Sequence, residues 1–519
     1  MTAWRLLDTG PRSAAENMAL DAVILDAVAD GESPPTLRFM QFRPGAVLVG
    51  AFQRVEDEVR LGFCHDAGID VNRRHTGGGA IFFDEAQIGW EVVCRWGDAG
   101  DSRPGTDLFE RLCTPVVMAL RDLGIEASYR PRNDIEVEGR KISGTGGTDL
   151  RGALLFQGTL LVDFDVETMV RALRVPVEKL RRREIEGLRD RVTWVDRELG
   201  APVPLGDLKA RIAGRFEDLA GGRLISGELT VAERTAFKSA LPRFTSDAWI
   251  AGRGRRPTEQ VRALYASPGG MLRPVIKCDR RRSRIEALVL DGDFFAYPRR
   301  GILDLEARLK GARVSEMDGI VREHMDGGSL TMPGIEAEHV IAAIREALGR
   351  HDVESMGMSP RQANATFVVG GSFRHVARLG PTHLLLPYCA KPLDCDNRGR
   401  DGCDECGSCG VGEGYALGAR AGLEVHTVTS YEHLMDVLSH IRTAGAPAYI
   451  GSCCEAFYVK HRQDLEAVGL PGILVDVAGN ETCYDLGKSG YAYRGEYEGS
   501  SEMDVGLLRA VLAACRGVA

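Results

Sequence analysis

A run of glycines beside two arginines is the first group of residues in this sequence that could do chemistry. The run comprises Arg73, Arg74, Gly77, Gly78, Gly79 and Ala80. Successive glycines let the backbone approach a ligand closely and turn its N–H groups toward anionic oxygens. Guanidinium groups add planar donors that suit phosphate or carboxylate. The run therefore predicts an anion-binding loop, although by itself the pattern is also typical of an ordinary turn beside solvated arginines.

A lysine further along the chain provides a second candidate. Lys141 follows a Glu138-Gly139 turn. The polar or small residues of this segment and of the strand that follows it are Asn133, Asp134, Ser143, Gly144, Gly158 and Thr159. A lysine in a partly closed site is a compact cation that can stabilise charge on a reacting carboxyl or phosphoryl oxygen. The oxygens of Asn133 and Asp134 suit a nucleotide or its Mg²⁺. Taken singly, each residue is also typical of a polar surface.

Cysteines are concentrated in the last quarter of the chain. The candidate metal ligands are Cys389, Cys395, Cys403, Cys406, Cys409, Cys453, Cys454 and Cys483. The total of 13 cysteines is odd, which favours metal ligands or reactive thiols over a disulfide framework. The C-x2-C-x2-C core predicts that thiolates converge on an Fe–S cluster or on zinc, and the spacing leaves both open. Unrelated thiols in a glycine-rich loop are the alternative.

Length and composition limit the class of protein. A chain of 519 residues predicts three or four domains. The hydrophobic fraction of 44% and the charged fraction of 27% are typical of a globular protein in water. A net charge of −9 argues against general nucleic-acid binding. The first residues do not resemble a signal peptide and no apolar run is long enough to span a membrane, so we expect a cytoplasmic protein.

The apolar pattern indicates which elements position the first two groups. Ser13 and Glu16 predict the capping box of a helix, and Gly31 predicts its end. Short β-branched and aromatic runs follow, together with a second helix. Strands grouped around a few helices predict an α+β domain over residues 1–200, and a smaller α+β accessory domain is expected over residues 201–345.

The pattern changes in the last third of the chain. The stretch at 348–362 is expected to be a linker. Over residues 360–519 apolar strands alternate with helices, which predicts an α/β domain with a parallel sheet. Cys389, Cys453 and Cys483 follow predicted strands, and α/β sheets place their sites at the carboxyl ends of strands. This domain is therefore predicted to be a metal-binding, cysteine-rich α/β domain.

Several ordered motifs resemble the lipoate–protein ligases of the biotin/lipoate ligase superfamily. They are R-R-x-x-G-G-G-A from Arg73, N-D-x-x-V from Asn133, G-x-K-x-S-G around Lys141 and G-T-L-L-V from Gly158. The resemblance covers residues 1–200 and extends more weakly to about residue 345. It implies a biotin/lipoyl ligase-like catalytic domain with the accessory domain of that family. The last domain resembles a family of uncharacterised cysteine-rich domains, which implies no reaction.

The resemblance also implies a mechanism. The carboxylate of lipoate or octanoate attacks the α-phosphorus of ATP and gives acyl-AMP and pyrophosphate, with Mg²⁺ on the nucleotide. A lysine of a lipoyl-domain protein then takes the acyl group. Lys141 would hold the reacting oxygens in both steps, and Arg73 with the backbone of Gly77 to Gly79 would line the acyl and phosphate site. The acceptor must come in trans, since the chain has no D-K-A acceptor sequence.

Two other activities stay open. The family often has histidine where this chain has Phe83 and Gln157, which is compatible with a non-catalytic module that binds lipoate or a lipoyl domain. An octanoyltransferase of the same superfamily uses a cysteine nucleophile instead of ATP. In one group of these enzymes that cysteine lies just upstream of the G-x-K motif, where this chain reads YRPRNDIEV. Cys64, Cys94 and Cys113 lie in apolar stretches and are expected to be buried, so the ligase is favoured.

Overall fold

The computed structural model describes residues 3–99, 106–130, 133–174, 192–252, 260–279, 283–477 and 501–517. The strands are β1 (Arg5–Arg12), β2 (Thr36–Phe42), β3 (Ala46–Val49), β4 (Asp70–Arg73), β5 (Ile81–Phe83), β6 (Ile88–Arg95), β7 (Ala127–Arg130), β8 (Asp134–Val137), β9 (Arg140–Leu150), β10 (Ala153–Leu160), β11 (Ile225–Ser226), β12 (Val261–Arg262), β13 (Tyr265–Ser267), β14 (Gly270–Asp279), β15 (Arg284–Gly292), β16 (Thr366–Val369), β17 (His383–Pro387), β18 (Glu424–Val428), β19 (Tyr449–Cys453) and β20 (Gly472–Asp476).

The helices cover the faces of these sheets. They are α1 (Ala14–Asp30), α2 (Val55–Glu58), α3 (Leu61–Asp66), α4 (Thr106–Arg121), α5 (Val166–Ala172), α6 (Val195–Leu199), α7 (Leu205–Ala220), α8 (Val231–Phe244), α9 (Asp247–Ala251), α10 (Arg300–Leu309), α11 (Met317–Asp326), α12 (Ala337–Ser355), α13 (Pro360–Asn364), α14 (Phe373–Leu379), α15 (Gly410–Ala421), α16 (Tyr431–Thr443), α17 (Glu455–Val468) and α18 (Val505–Arg516). Within the described ranges, none combines the length and the apolar composition needed to cross a membrane.

The first unit is built on a mixed sheet of eight strands in the order β11-β1-β2-β6-β10-β9-β8-β7. β1 runs parallel to β2 and β11, and the other pairs are antiparallel. A small sheet with the order β4-β3-β5 stands beside it. The predicted first helix is confirmed as α1, where the capping box of Ser13 and Glu16 is formed and Gly31 ends the helix at φ +77°.

The helices that follow residue 200 pack on this first sheet. Leu208, Ile212 and Phe216 of α7 belong to the same buried cluster as Trp90 of β6. Glu233 of α8 forms a buried ion pair with Arg5 of β1 at 2.7 Å. Through these buried contacts, α7 and α8 belong to the core of the first unit. The predicted boundary at residue 200 therefore does not separate two hydrophobic cores.

The accessory unit is a small sheet with the order β12-β14-β13, in which β15 pairs with β14. α10, α11 and α12 pack beside it. Arg54 of the first unit reaches Asp291 of β15 through a buried ion pair of 2.9 Å. Residues 348–355, which were expected to be part of a linker, form the last turns of α12, and Val353 there is buried. The expectation of a linker is therefore wrong at these positions.

The last unit contains a sheet of five strands in the order β16-β20-β19-β17-β18. The pairs β18–β17, β17–β19 and β19–β20 are parallel, and β16 pairs with β20 antiparallel. Residues of β14, α12 and β17 belong to one continuous buried cluster, for example Leu272, Ile344 and Leu384. The accessory unit and the last unit therefore share a hydrophobic core.

A buried arginine connects α1 with the middle of the first sheet. The Arg38 guanidinium of β2 donates to Asp21 at 2.8 Å, to Glu91 at 2.7 Å and to Asn17 at 2.8 Å. Gln157 of β10 donates through Nε2 to the same two carboxylates, at 2.7 and 2.9 Å. Burial raises the pKa of Glu91 to about 7, although Arg38 opposes the shift. One cation thus faces two carboxylates away from water.

Replacement of Arg38 by methionine should strongly destabilise the first unit. Loss of one partner from a buried ionic network leaves uncompensated charge and costs roughly 3–5 kcal/mol of unfolding free energy. Urea unfolding followed by tryptophan fluorescence measures this, because all 5 tryptophans lie at or before Trp249. Arg43→Ala is the control, since Arg43 and Glu85 form an exposed pair and such pairs contribute little. Equal losses in the two variants would contradict the role given to the network.

Candidate active site

A large cleft lies where the first unit meets the accessory unit. Its volume is about 590 Å³, and it is lined by Gly77 to Ala80 of the glycine run, by parts of β9 and β10, and by residues 266–271, Asp293 and Phe295 of the accessory unit. Of the residues predicted for the site, the cleft lining includes Arg74, Gly77, Gly78, Gly79, Ala80, Asn133, Asp134, Lys141, Gly144, Gly158 and Thr159. The two sequence groups, far apart along the chain, therefore meet at one cleft.

The glycine run lies directly against the backbone of the accessory unit. Gly78 donates its N–H to the carbonyl of Phe294 at 3.0 Å. A Cβ atom at Gly77 would lie 2.1 Å from that same carbonyl oxygen, and Gly78 has a φ of +87°. A side chain at Gly77 would clash with backbone, and one at Gly78 would be strained. Glycine is thus required by packing as well as by any ligand.

Arg74 fixes the conformation of the glycine run through hydrogen bonds to its backbone. Its Nη2 donates to the carbonyls of Gly77 and Gly79 at 2.7 and 2.8 Å, and its Nη1 donates to Leu48 at 2.9 Å. Burial, with a smaller contribution from Arg73, lowers the pKa of Arg74 to about 10. Arg74 therefore remains a cation at neutral pH, and most of its donors are used by backbone carbonyls.

Arg73 and Ser143 are the predicted site residues that the structure places outside the cleft lining. The buried Arg73 guanidinium donates to the carbonyls of Gly50 and Gln53 at 2.7 and 2.6 Å, and to Ile250 at 3.0 Å. It thereby connects the loop after β3 with α9. Ser143 is fully buried, and its hydroxyl has no hydrogen-bond partner among the described residues.

Lys141 reaches the cleft from the start of β9. Its Nζ lies 2.7 Å from Oδ1 of Asp134, and the lysine side chain is 37% exposed. A Cβ atom at Gly144 would lie 2.6 Å from both Cε and Nζ of Lys141. Gly144 also donates its N–H to the Thr159 hydroxyl at 3.2 Å. The lysine is thus positioned by one carboxylate and by the absence of a side chain at residue 144.

Sequence reasoning missed two parts of the cleft. Met18, Met40, Phe42, Leu48 and Phe83 supply an apolar wall, and Phe42 and Phe83 are in ring contact at 4.8 Å. Residues 266–271 lie in the segment that was expected only to form the accessory domain. Phe83 and Gln157 were noted only as departures from the family pattern, yet both line the cleft. Gln157 also donates hydrogen bonds to Asp21 and Glu91.

Comparisons with known proteins place this fold and cleft in a family. Residues 13–217 match the model of the lipoyl protein ligase A/B catalytic domain. Octanoyltransferase LipM of Kyrpidia tusciae is 31% identical over 271 residues, which are 48% of this chain and 98% of the relative. The chain belongs to the lipoate ligase superfamily. Its first half is thus similar to enzymes of lipoyl and octanoyl transfer.

Two further comparisons agree with this assignment. Lipoate–protein ligase 1 of Staphylococcus aureus is 28% identical over 301 residues, which are 57% of this chain and 85% of the relative. The structure of P. falciparum LipL1 in complex with lipoate has a TM-score of 0.51 and 15% identity, and covers 62% of this chain and 94% of that one. At that identity the likeness shows the fold. The α+β ligase fold predicted for the catalytic domain is therefore confirmed.

The cysteines that the structure describes lie away from the cleft surface. Within the part of the chain that the structure describes, no cysteine lines the cleft. Burial raises the pKa of Cys64 to about 11 and that of Cys94 to about 12. Cys113 is fully buried and hydrogen-bonds to the cleft residue Thr145, and burial raises its pKa strongly. At neutral pH these thiols are protonated and therefore weak nucleophiles.

The cysteine-rich tail has two groups of thiols. Cys389, Cys453 and Cys454 line a small apolar cavity of about 100 Å³ at the carboxyl ends of β17 and β19. Cys395, Cys403 and Cys409 lie near the buried Lys391, whose Nζ donates to three backbone carbonyls at 2.7 to 3.1 Å. Burial lowers the pKa of Lys391, and the neighbouring thiols oppose that shift.

These thiols do not form an assembled ligand set in the described residues. No three cysteine sulfurs there approach within 4.8 Å of one another. Cys406 is exposed, and Cys483 lies outside the described residues. The Fe–S or zinc site at Cys389, Cys395, Cys403, Cys406, Cys409, Cys453, Cys454 and Cys483 therefore stays a prediction.

His75 should make the stability of the protein fall in acid. It is buried against Phe244 and Trp249, and burial lowers its pKa from 6.5 to about 4. Above pH 6.5 folded and unfolded forms are both neutral at this residue. As the pH falls, the unfolded chain binds a proton at this residue and the folded form does not. The free energy of unfolding therefore decreases by roughly 2 kcal/mol between about pH 7 and pH 5.

Urea unfolding of wild type and His75→Gln across that pH range measures this loss. The wild type should lose stability relative to the variant as the pH falls. A constant difference between the two proteins would contradict the neutral, buried histidine.

The variant Gly144→Ala should impair the enzyme without unfolding it. The new methyl group overlaps the end of the Lys141 side chain, and displacement of an aligned group by about 1 Å can cost roughly 10²-fold in rate. We expect kcat/KM for lipoyl or octanoyl transfer to fall by roughly 10- to 100-fold. Gly206→Ala in α7 is the matched control, since no atom lies within 4 Å of its added Cβ. Equal activity of the two variants would refute the positioning of Lys141.

Proposed function

We propose that this protein is an ATP-dependent lipoate–protein ligase, which activates lipoate or octanoate as acyl-AMP and transfers the acyl group to a lysine of a lipoyl-domain protein. The main support is that the cleft offers a lysine, Lys141, but no cysteine among the residues described around it. The sequence YRPRNDIEV, where one group of transferases carries its nucleophile, has none either. A cleft with a cation and no nucleophile suits activation by ATP.

Lys141 is proposed to act in both chemical steps. An oxygen of the acyl carboxylate attacks the α-phosphorus, and the bond from that phosphorus to pyrophosphate breaks. The amine of the acceptor lysine then attacks the acyl carbon and AMP leaves, so that an amide forms. In each step negative charge develops on carboxyl or phosphoryl oxygens, which a positioned ammonium group stabilises. The ion pair of Lys141 with Asp134 at 2.7 Å would hold that group until substrate arrives.

The glycine run is proposed to receive phosphate oxygens. Its shape is fixed from one side by Arg74 and from the other by the Phe294 carbonyl. A loop held in this way does not have to reorganise when charge develops. In this proposal Arg74 acts by shaping the loop, and Arg73 acts through its contacts with the backbone around Gly50.

Mg²⁺ is proposed to accompany the nucleotide at Asn133 and Asp134. The carboxylate and amide oxygens of these two residues are hard donors of the type that Mg²⁺ prefers, so the residues fit the ion. Both line the cleft next to Lys141. When bound, the ion would neutralise phosphate charge.

The apolar wall is proposed to hold the acyl chain. Met18, Met40, Phe42 and Leu48 are all buried and all line the cleft. Burial of an alkyl chain against such residues is favourable by about 0.8 kcal/mol for each CH₂ group. Lipoate and octanoate share an eight-carbon backbone, and the wall suits both.

An octanoyltransferase is the second candidate, because relatives such as that of Kyrpidia tusciae are named octanoyltransferases. This activity would need a sulfur nucleophile and an activated octanoyl donor in place of ATP. Cys113 would have to serve, since its thiol contacts Thr145 of the cleft. Its burial and raised pKa weigh against that role.

Lipoate-dependent ATP–pyrophosphate exchange tests the ligase proposal. We expect exchange in the wild type and a loss of roughly 10²–10³-fold in Lys141→Ala, which is the cost of removing one preorganised charge-stabilising group. Lys238→Ala is the control, because Lys238 is exposed on α8. Cys113→Ser should keep exchange, since no covalent thioester is required.

Two results would overturn the proposal in different directions. Octanoyl transfer without ATP that disappears in Cys113→Ser would establish the transferase. Lipoate binding by the wild type with neither exchange nor transfer would establish a non-catalytic binding module.

A further inference from the structure

Two parallel strands of the last unit bring together three side chains that the cleft chemistry does not use. His383 begins β17 and Glu424 begins β18, and the two residues are directly paired across the strands. His426 lies two residues further along β18. Because successive residues of a strand point to opposite faces, Glu424 and His426 share one face, and the pairing with Glu424 puts His383 on that face too.

The potential ligand atoms of the three residues converge. One from each side chain lies within 4.8 Å of the other two. Nε2 of His383 lies 3.5 Å from Oε2 of Glu424, and Nε2 of His426 lies 3.3 Å from Oε1. Ligands held tetrahedrally at zinc distances of about 2.0–2.1 Å are about 3.3–3.4 Å apart. The spacing of the free side chains thus already matches that of ligands around one ion.

The hydrogen-bonding state of His426 is the second observation. Its buried Nε2 has no hydrogen-bond partner among the described residues, although the Glu424 oxygen is only 3.3 Å away. The other ring nitrogen, Nδ1, lies 3.1 Å from Oδ2 of Asp401. A histidine whose Nδ1–H is held by a carboxylate presents the lone pair of Nε2, which is the arrangement of a metal-ligating histidine.

Asp401 is itself fixed by the backbone around it. Its Oδ1 accepts the N–H groups of Gly402 at 2.8 Å and Thr427 at 2.5 Å. It belongs to the loop that carries Cys395 and Cys403. The carboxylate that orients His426 is therefore supplied by the cysteine-rich loop, although the three convergent ligand atoms include no sulfur.

We propose that His383, Glu424 and His426 bind a divalent ion of the zinc type, with Asp401 as the residue that positions His426. Two imidazole nitrogens and one carboxylate oxygen are a donor set that suits Zn²⁺ and similar first-row ions. Three protein ligands leave a coordination position open for water or for an exogenous ligand. This site is distinct from the cysteine ligands predicted from the sequence.

Equilibrium dialysis of the full-length protein against zinc, with metal measured by mass spectrometry, tests the proposal. The variants His426→Ala and His383→Ala should each bind one equivalent of zinc fewer than the wild type. Asp401→Asn should lower the zinc affinity of this site by roughly 10- to 100-fold, as is typical when the carboxylate that orients a histidine ligand is removed. His375→Ala is the control, because this exposed histidine of α14 lies in the same unit.

Cobalt substitution separates this site from the cysteines. Co²⁺ bound by imidazole and carboxylate absorbs in the visible range without the thiolate charge-transfer band. That absorption should be lost in Glu424→Gln, a substitution at a side chain that is 67% exposed and outside the core. Zinc and cobalt binding that is identical in wild type and in Glu424→Gln and His426→Ala would overturn the proposal and leave only His–Glu ion pairs.

Discussion

The buried guanidinium of Arg38 is the interaction on which the cleft depends most. It connects α1, β2 and β6, and Gln157 extends the network to β10. Burial raises the pKa values of both Asp21 and Glu91, and Arg38 opposes both shifts, so the charged state of this pair depends on the one arginine. Both hydrogens of the Gln157 amide nitrogen are used by these carboxylates. The group that Gln157 can offer to the cleft is therefore its carbonyl oxygen, an acceptor.

The rest of the cleft is preorganised by backbone contacts between two units. The glycine run is held between Arg74 and the Phe294 carbonyl, and Lys141 lies in space left by Gly144. Both arrangements are fixed by contacts within the chain. Electrostatic preorganisation of this kind is effective because donors need not turn toward charge while it develops. The accessory unit is thus a structural component of the cleft wall.

The sequence could predict local features and residue types but not long-range partners. The capping box of α1, the glycine run and Lys141 each have a local signal, and the family motifs brought them together. Arg73 was expected to bind an anionic ligand, because a guanidinium group suits phosphate or carboxylate. In the structure its guanidinium donates instead to the backbone carbonyls of Gly50 and Ile250. Likewise, His383 and His426 carry no spacing signal, because only the register of two parallel strands makes them neighbours.

α12 has apolar contacts on two sides, with β14 of the accessory sheet and with α14 of the cysteine-rich unit. The last unit is therefore packed into the rest of the chain and is not a separate appendage. A polypeptide that ended at residue 345 would lack the last turns of α12 and would expose the apolar side chains that this helix buries against α14. Exposed apolar surface of this kind favours aggregation. A fragment made of the first two units should therefore be less soluble than the full chain.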